Sequence, residues 1–143
     1  IATGQQMLAA FALGADGVQV GSRFVCTPEA SSHQAFKDAI VAAPEGATLL
    51  SLKKLAPVRL LKNDFFLQVQ EAESRGASKE ELQELLGRGR AKKGMFEGNM
   101  QEGELEIGQV SSLIQDIRPA SEIVQELVKE YQVAREELLS SGK

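Results

Sequence analysis

Gly14-Ala15-Asp16-Gly17-Val18-Gln19-Val20-Gly21-Ser22-Arg23-Phe24 joins a short apolar run to a Gly-Ser turn immediately after an alanine-rich segment. Along an extended backbone Val18 and Val20 point to one side and Gln19 and Gly21 to the other, so the stretch predicts a short strand with one apolar face. Gly21 has no Cβ and lets a ligand approach the backbone. The amides of Gly21, Ser22 and Arg23 would then converge on an anion as the next turn begins.

The residues before this stretch predict a helix over Gln5 to Leu13, with Thr3 as its N-cap and Gly14 as the left-handed residue that ends it. Helix, short loop, buried strand and Gly-Ser turn together form one αβ step of a parallel α/β fold. Successive strand ends that present glycine-bearing turns to one face build a phosphate site like that after strands 7 and 8 of a (β/α)8 barrel. The plainer reading of Gly21, a glycine kept for tight helix–strand packing, stands beside it.

Further along, Ser31 to about Ala43 reads as a helix capped by Ser31 or Ser32, with Phe36, Ile40 and Val41 on its apolar side. Thr48 to Leu52 and Val58 to Leu61 are short β-like runs interrupted by Pro57. Asn63 caps a helix from about Asp64 to Arg75 that Gly76 ends, and Ser78-Lys79-Glu80-Glu81 is a capping box for another reaching Leu86. Gly87 to Gly108 is charged and punctuated by glycines, which suits a covering loop rather than a core. The last helix starts near Pro119 and carries Ile123, Leu127, Tyr131, Ala134 and Leu138 on one stripe, read either as a dimer seam or as the packed face of a surface helix.

Composition removes several classes of function. The chain has 143 residues, 43% hydrophobic and 25% charged, with a net charge of −4, so it lacks the basic excess that nucleic acid binding calls for. No apolar run approaches the length of a membrane span. Cys26 is the only cysteine, which excludes an internal disulfide and a thiolate zinc cluster, and no metal site is expected. These features fit a cytoplasmic protein.

Single residues carry competing readings. His33 suits a base, but no Cys, Asp or second His stands at ligand spacing, and a solvent-facing or locally bonded role is favoured. Cys26 reads as a buried small hydrophobe sooner than as a reactive thiol. Arg23 pairs with a phosphate or with a neighbouring carboxylate; arginine suits both. Arg88, Arg90, Lys92 and Lys93 form the one concentrated basic patch, read as a solvated loop or as a receiver for a nucleotide phosphate or an acidic carrier protein; Glu97, Glu102, Glu104 and Glu106 follow it closely.

Ile1-Ala2-Thr3-Gly4, Gly14 to Phe24, the run from Pro28-Glu29 through His33 to Phe36-Lys37, Val58 to Asn63, and Gly108 to Ile114 occur in this order over nearly the whole chain. Together they resemble the C-terminal half of the flavin family that contains nitronate monooxygenases (2-nitropropane dioxygenases) and the flavin-dependent enoyl-acyl-carrier-protein reductase II. The resemblance implies an α/β fold, the C-terminal portion of a TIM (β/α)8 barrel with an inserted small helical lid domain. Its implied parts are residues 1–30 at the end of the FMN-binding barrel, 31–98 as a small substrate or lid domain, and 99–143 as a return segment with a C-terminal helix.

In that family the FMN phosphate rests on backbone amides from a Gly-Gly-Ile turn and from a Gly-Thr/Ser-Arg-Phe turn, the second of which maps onto Gly21 and Ser22. The implied cofactor-binding set is Gly4, Gln19, Gly21, Ser22 and Arg23. The Gly-Gly pair that would precede Ile1 is missing, and a barrel needs about 250 residues, so the chain is expected to be a fragment whose catalytic His lies upstream. The implied reaction is NADH- or NADPH-dependent reduction of an enoyl thioester on acyl carrier protein, with oxidation of a small alkyl nitronate by oxygen as the alternative. An inactive fragment is the third possibility, and a homodimer is compatible with all three.

Overall fold

Thr3 begins the first helix, α1 (Gly4–Ala12), by accepting the amide of Gln6 on its hydroxyl at 3.2 Å. Gly14 ends it: its φ of 94° lies in the left-handed region, and the Gly14 and Ala15 amides bond back to Phe11 and Ala10. The computed structural model describes residues 1–142, which fall into two compact units. One joins residues 1–30 to 116–142; the other is residues 31–115.

In the first unit α1 packs against the long C-terminal helix α6 (Ala120–Ser140). The crossing is close at Gly4, where an added Cβ would fall on the backbone of Tyr131 and the side chain of Glu130. Phe11 and Tyr131 meet edge to face with ring centroids 5.5 Å apart. Pro119 occupies the cap position of α6, one residue earlier than a first-turn proline, and the Ala120 amide donates to the Glu29 carboxylate at 3.0 and 3.2 Å. Ile123 and Leu127 are buried within this unit, whereas Leu138 is 44% exposed, so the upper part of the apolar stripe is the packed face.

The strand predicted around Val18 does not form. Residues 17–21 enter no ladder among the described residues, because a strand exists only where a neighbour supplies N–H and C=O groups and none of the described segments does so. The alternation is retained: Val18 and Val20 are half-buried, Gln19 and Gly21 exposed. A one-turn helix, α2 (Ser22–Val25), follows directly.

The second unit begins with α3 (Gln34–Val41), capped by His33 rather than by Ser31 or Ser32: the imidazole Nδ1 accepts the Ala35 amide at 3.1 Å. The two β-like runs pair as an antiparallel hairpin, β1 (Thr48–Ser51) with β2 (Val58–Leu61), and Pro57 lies in their connection. Asn63 caps α4 (Asp64–Ser74), and Ser78 with Glu81 closes the capping box of α5 (Lys79–Leu86). Phe65, Phe66, Val69 and Ala72 of α4 bury against Leu52, Leu60 and Leu82 to make the core of this unit.

The glycine-rich tract from Gly87 to Gly108, expected as a covering loop, is built into that core. It holds a short π-helical turn over Lys92–Phe96 and returns beside β2, with a bridge between Leu60 and Glu106 and buried side chains at Leu105 and Ile107. The glycines make the approach possible: a Cβ on Gly94 would stand 2.7 Å from the Glu104 carbonyl oxygen and 2.8 Å from Leu105 Cδ2. Asn63 holds the tract from outside it, donating to the Met100 and Gly103 carbonyls at 2.9 and 2.8 Å.

Glu104 is buried in this tract. Burial, and then the nearby charge of Glu106, push its carboxyl above the usual carboxylate value, with Arg90 pulling the other way. A raised value favours the neutral acid, so the contribution of Glu104 to stability is fully present in acid and lost as pH rises through the raised value. Glu104→Gln should therefore melt higher than the parent at neutral pH, and the advantage should vanish at acidic pH. A difference in melting temperature that does not change with pH would contradict this assignment.

Candidate functional site

The five residues expected around a cofactor all lie in the first unit, within or beside the Val18 to Phe24 stretch and the start of α1. Gly21 is exposed, and an added Cβ would meet nothing within 4 Å. Its φ of −112° is open to any residue, so the backbone does not require glycine there. What glycine preserves is the space in front of the Gly21 and Ser22 amides, which enter the first turn of α2, closed by the Phe24 amide on the Gly21 carbonyl at 2.9 Å. An anion approaching this turn would meet backbone N–H groups rather than a side chain. Gln19 is exposed two residues earlier.

Gly4 and Arg23 are committed elsewhere within the unit. The Gly4 amide donates to Glu130 Oε2 at 2.7 Å, so a carboxylate of the chain itself already sits at the N-terminal end of α1. Arg23 is 5% exposed. Its guanidinium donates to the Asp116 carbonyl at 3.1 Å and to the Asp116 carboxylate, which is the carboxylate pairing that the sequence left open.

Asp116 in turn contacts Arg118, whose Nε lies 2.8 Å from Asp116 Oδ2, and Arg118 pairs onward with Glu126 of α6. Burial works against the Asp116 charge, but pairing with Arg118 and then with Arg23 outweighs it and holds the carboxyl below its usual value. The result is a line of alternating charge, Arg23 to Asp116 to Arg118 to Glu126, that ties the turn after Gly21 to the last helix. Asp116, Arg118, Glu126 and Glu130 were not legible as site residues, since each acts on a position about a hundred residues away.

The other candidates take the plainer roles. Cys26 is fully buried. His33 caps α3, donates its own amide to the Met95 carbonyl at 2.8 Å, and has its ring against Gly98. In the basic patch, Arg90 turns inward, donating to the Leu85, Leu86 and Glu102 carbonyls with its guanidinium 4.5 Å from the centre of the Phe65 ring. It thereby serves the last carbonyls of α5. Lys92 pairs with Glu97 at 3.3 Å. No group of three His, Cys, Asp or Glu side chains placed for a metal ion occurs among the described residues, and no helix there is long and apolar enough to cross a membrane.

The family model described as nitronate monooxygenase matches residues 1–130. The chain belongs to the nitronate monooxygenase family. Among solved structures it is similar to FabK from Thermotoga maritima, with 35% sequence identity and a TM-score of 0.90 over 99% of this chain and 45% of that one. A mutant of the same protein matches with 33% identity and a TM-score of 0.85, covering 99% and 42%. Nitroalkane oxidase from Streptomyces ansochromogenes is similar at 27% identity and a TM-score of 0.77, covering 96% and 39%. The chain thus spans less than half the length of each of these relatives.

Proposed function

We propose that this member of the nitronate monooxygenase family forms the phosphate-binding end of an FMN-dependent oxidoreductase, as the C-terminal part of a (β/α)8 barrel. In this reading residues 1–30 complete the barrel, the region from residue 31 to about 98 is the small substrate or lid domain, and the remainder returns to the barrel. The observation that carries the proposal is the open space before the Gly21 and Ser22 amides, the turn that the family resemblance assigns to the FMN phosphate.

The donor set fits a phosphate: backbone amides at a helix start, with no carboxylate among Gly21, Ser22 and Arg23. Gly21 and Ser22 hold the phosphate, Gln19 lies on the same approach, and Arg23 with Gly4 fixes the backbone around them. FMN, when bound, would supply the hydride chemistry, which belongs to the cofactor and not to these side chains.

The reaction proposed first is NADH- or NADPH-dependent reduction of an enoyl thioester on acyl carrier protein, supported by the greater identity to FabK. Nitronate oxidation by oxygen is the second reading, favoured by the family description and the likeness to a nitroalkane oxidase. The full-length protein, assayed with a nicotinamide nucleotide plus an enoyl thioester and separately with an alkyl nitronate under oxygen, distinguishes them. Thioester-dependent oxidation of the nicotinamide is expected. Nitronate consumption without added nicotinamide, and no turnover of any enoyl thioester, would establish the second reading instead.

A further inference from the structure

We propose that Asp116 is a positioning residue for the phosphate turn: through Arg23 it fixes the amides of Gly21 and Ser22, and Arg118 and Glu126 fix Asp116 in its place. This inference rests on the reading of that turn as the FMN phosphate site and assigns its supporting residues.

Four observations lead to it. Arg23 immediately follows the two amides, yet its guanidinium is almost completely buried and is held at two points by one residue, carbonyl and carboxylate together. Two-point attachment fixes both the position and the rotation of an arginine fork, as a single contact would not. The carboxylate that holds it is itself held by Arg118, and Arg118 by Glu126 on the packed helix α6. Finally, α2 is a single turn with Gly21 at its cap and no side-chain hydrogen bond there, so local structure alone does little to hold these amides in one orientation.

A cradle of amides binds an anion well only when it is ordered before the anion arrives, because ordering it afterwards costs binding free energy. Buried charges that brace one another also leave Arg23 with its charge largely matched, so the turn presents N–H dipoles whose aim depends on Asp116. Loss of the Asp116 carboxylate should therefore weaken the phosphate contact selectively. It should leave contacts to the rest of the flavin nearly intact.

Comparing FMN with riboflavin isolates that contact, since the two differ only in the phosphate. In the full-length protein, Asp116→Asn should lower FMN affinity about tenfold while changing riboflavin affinity less than about twofold, and Asp116→Glu should recover part of the difference. If Asp116→Asn does not fold, Arg23→Lys, which keeps the charge and loses the fork, is read by the same ratio. Equal losses for FMN and riboflavin would make Asp116 merely structural and overturn the proposal, as would no loss for either. Gly21→Val tells the two layers apart. If it removes the preference for FMN and Asp116→Asn does not, the positioning role fails alone; if the preference survives Gly21→Val, the phosphate site and the positioning role fail together.

Discussion

Phe65→Ala is expected to cost the unit of residues 31–115 about 3–5 kcal/mol, the usual range for emptying a fully buried phenylalanine site. Phe65 is 0% exposed and lies at the centre of the cluster formed by Leu52, Leu60, Phe66, Val69, Ala72, Ala77 and Leu82. Its ring is also the surface over which Arg90 reaches the carbonyls of α5 and of Glu102, so truncation opens a cavity and removes the support of the side chain that ends that helix. Against a domain stability of about 5–15 kcal/mol, a loss of this size brings the unit close to unfolding. Denaturant titration of the full-length protein should show an early transition for this unit. A midpoint shift equivalent to less than about 1 kcal/mol would mean that Phe65 is not the centre of the core.

Arg90 shows how a surface pattern conceals a structural role. In sequence it belongs to a basic patch facing a run of glutamates, and charge alone gives no reason to separate it from Arg88, Lys92 and Lys93. Its separation comes from geometry. The residue stands just past the end of α5, where unsatisfied carbonyls collect, and the guanidinium reaches them across an aromatic ring.

Local punctuation was legible wherever the chemistry was local. Thr3 and Gly14 delimit α1, Asn63 opens α4, and the Ser78–Glu81 capping box opens α5, because a cap bonds within three or four residues of itself. The Val18 to Val20 strand failed for the opposite reason: the alternation of its side chains is local, but a ladder is not. Arg23 stayed undecided between a phosphate and a carboxylate because its partner, Asp116, is 93 positions away. Gly4 was read as a cofactor glycine from its place in a motif, while its tight approach to α6 involves residues 126 and 127 positions later.

Flavin binding by a Gly21→Val variant should fall steeply, by about ten- to a hundredfold for FMN, if each charge-assisted amide contact is worth about 1.5–3 kcal/mol. The substitution is unusually clean. A Cβ at Gly21 meets no atom within 4 Å and the φ of −112° suits any residue, so the fold has no reason to change. A branched side chain would nonetheless occupy the space in front of the two amides and hold an anion away from them.

The decisive measurement is the FMN content of the full-length protein purified with and without Gly21→Val, with circular dichroism and melting temperature confirming an unchanged fold. The phosphate-turn account predicts a folded variant that has lost most of its FMN. A folded variant that retains FMN with undiminished affinity would contradict it and would place the cofactor phosphate elsewhere.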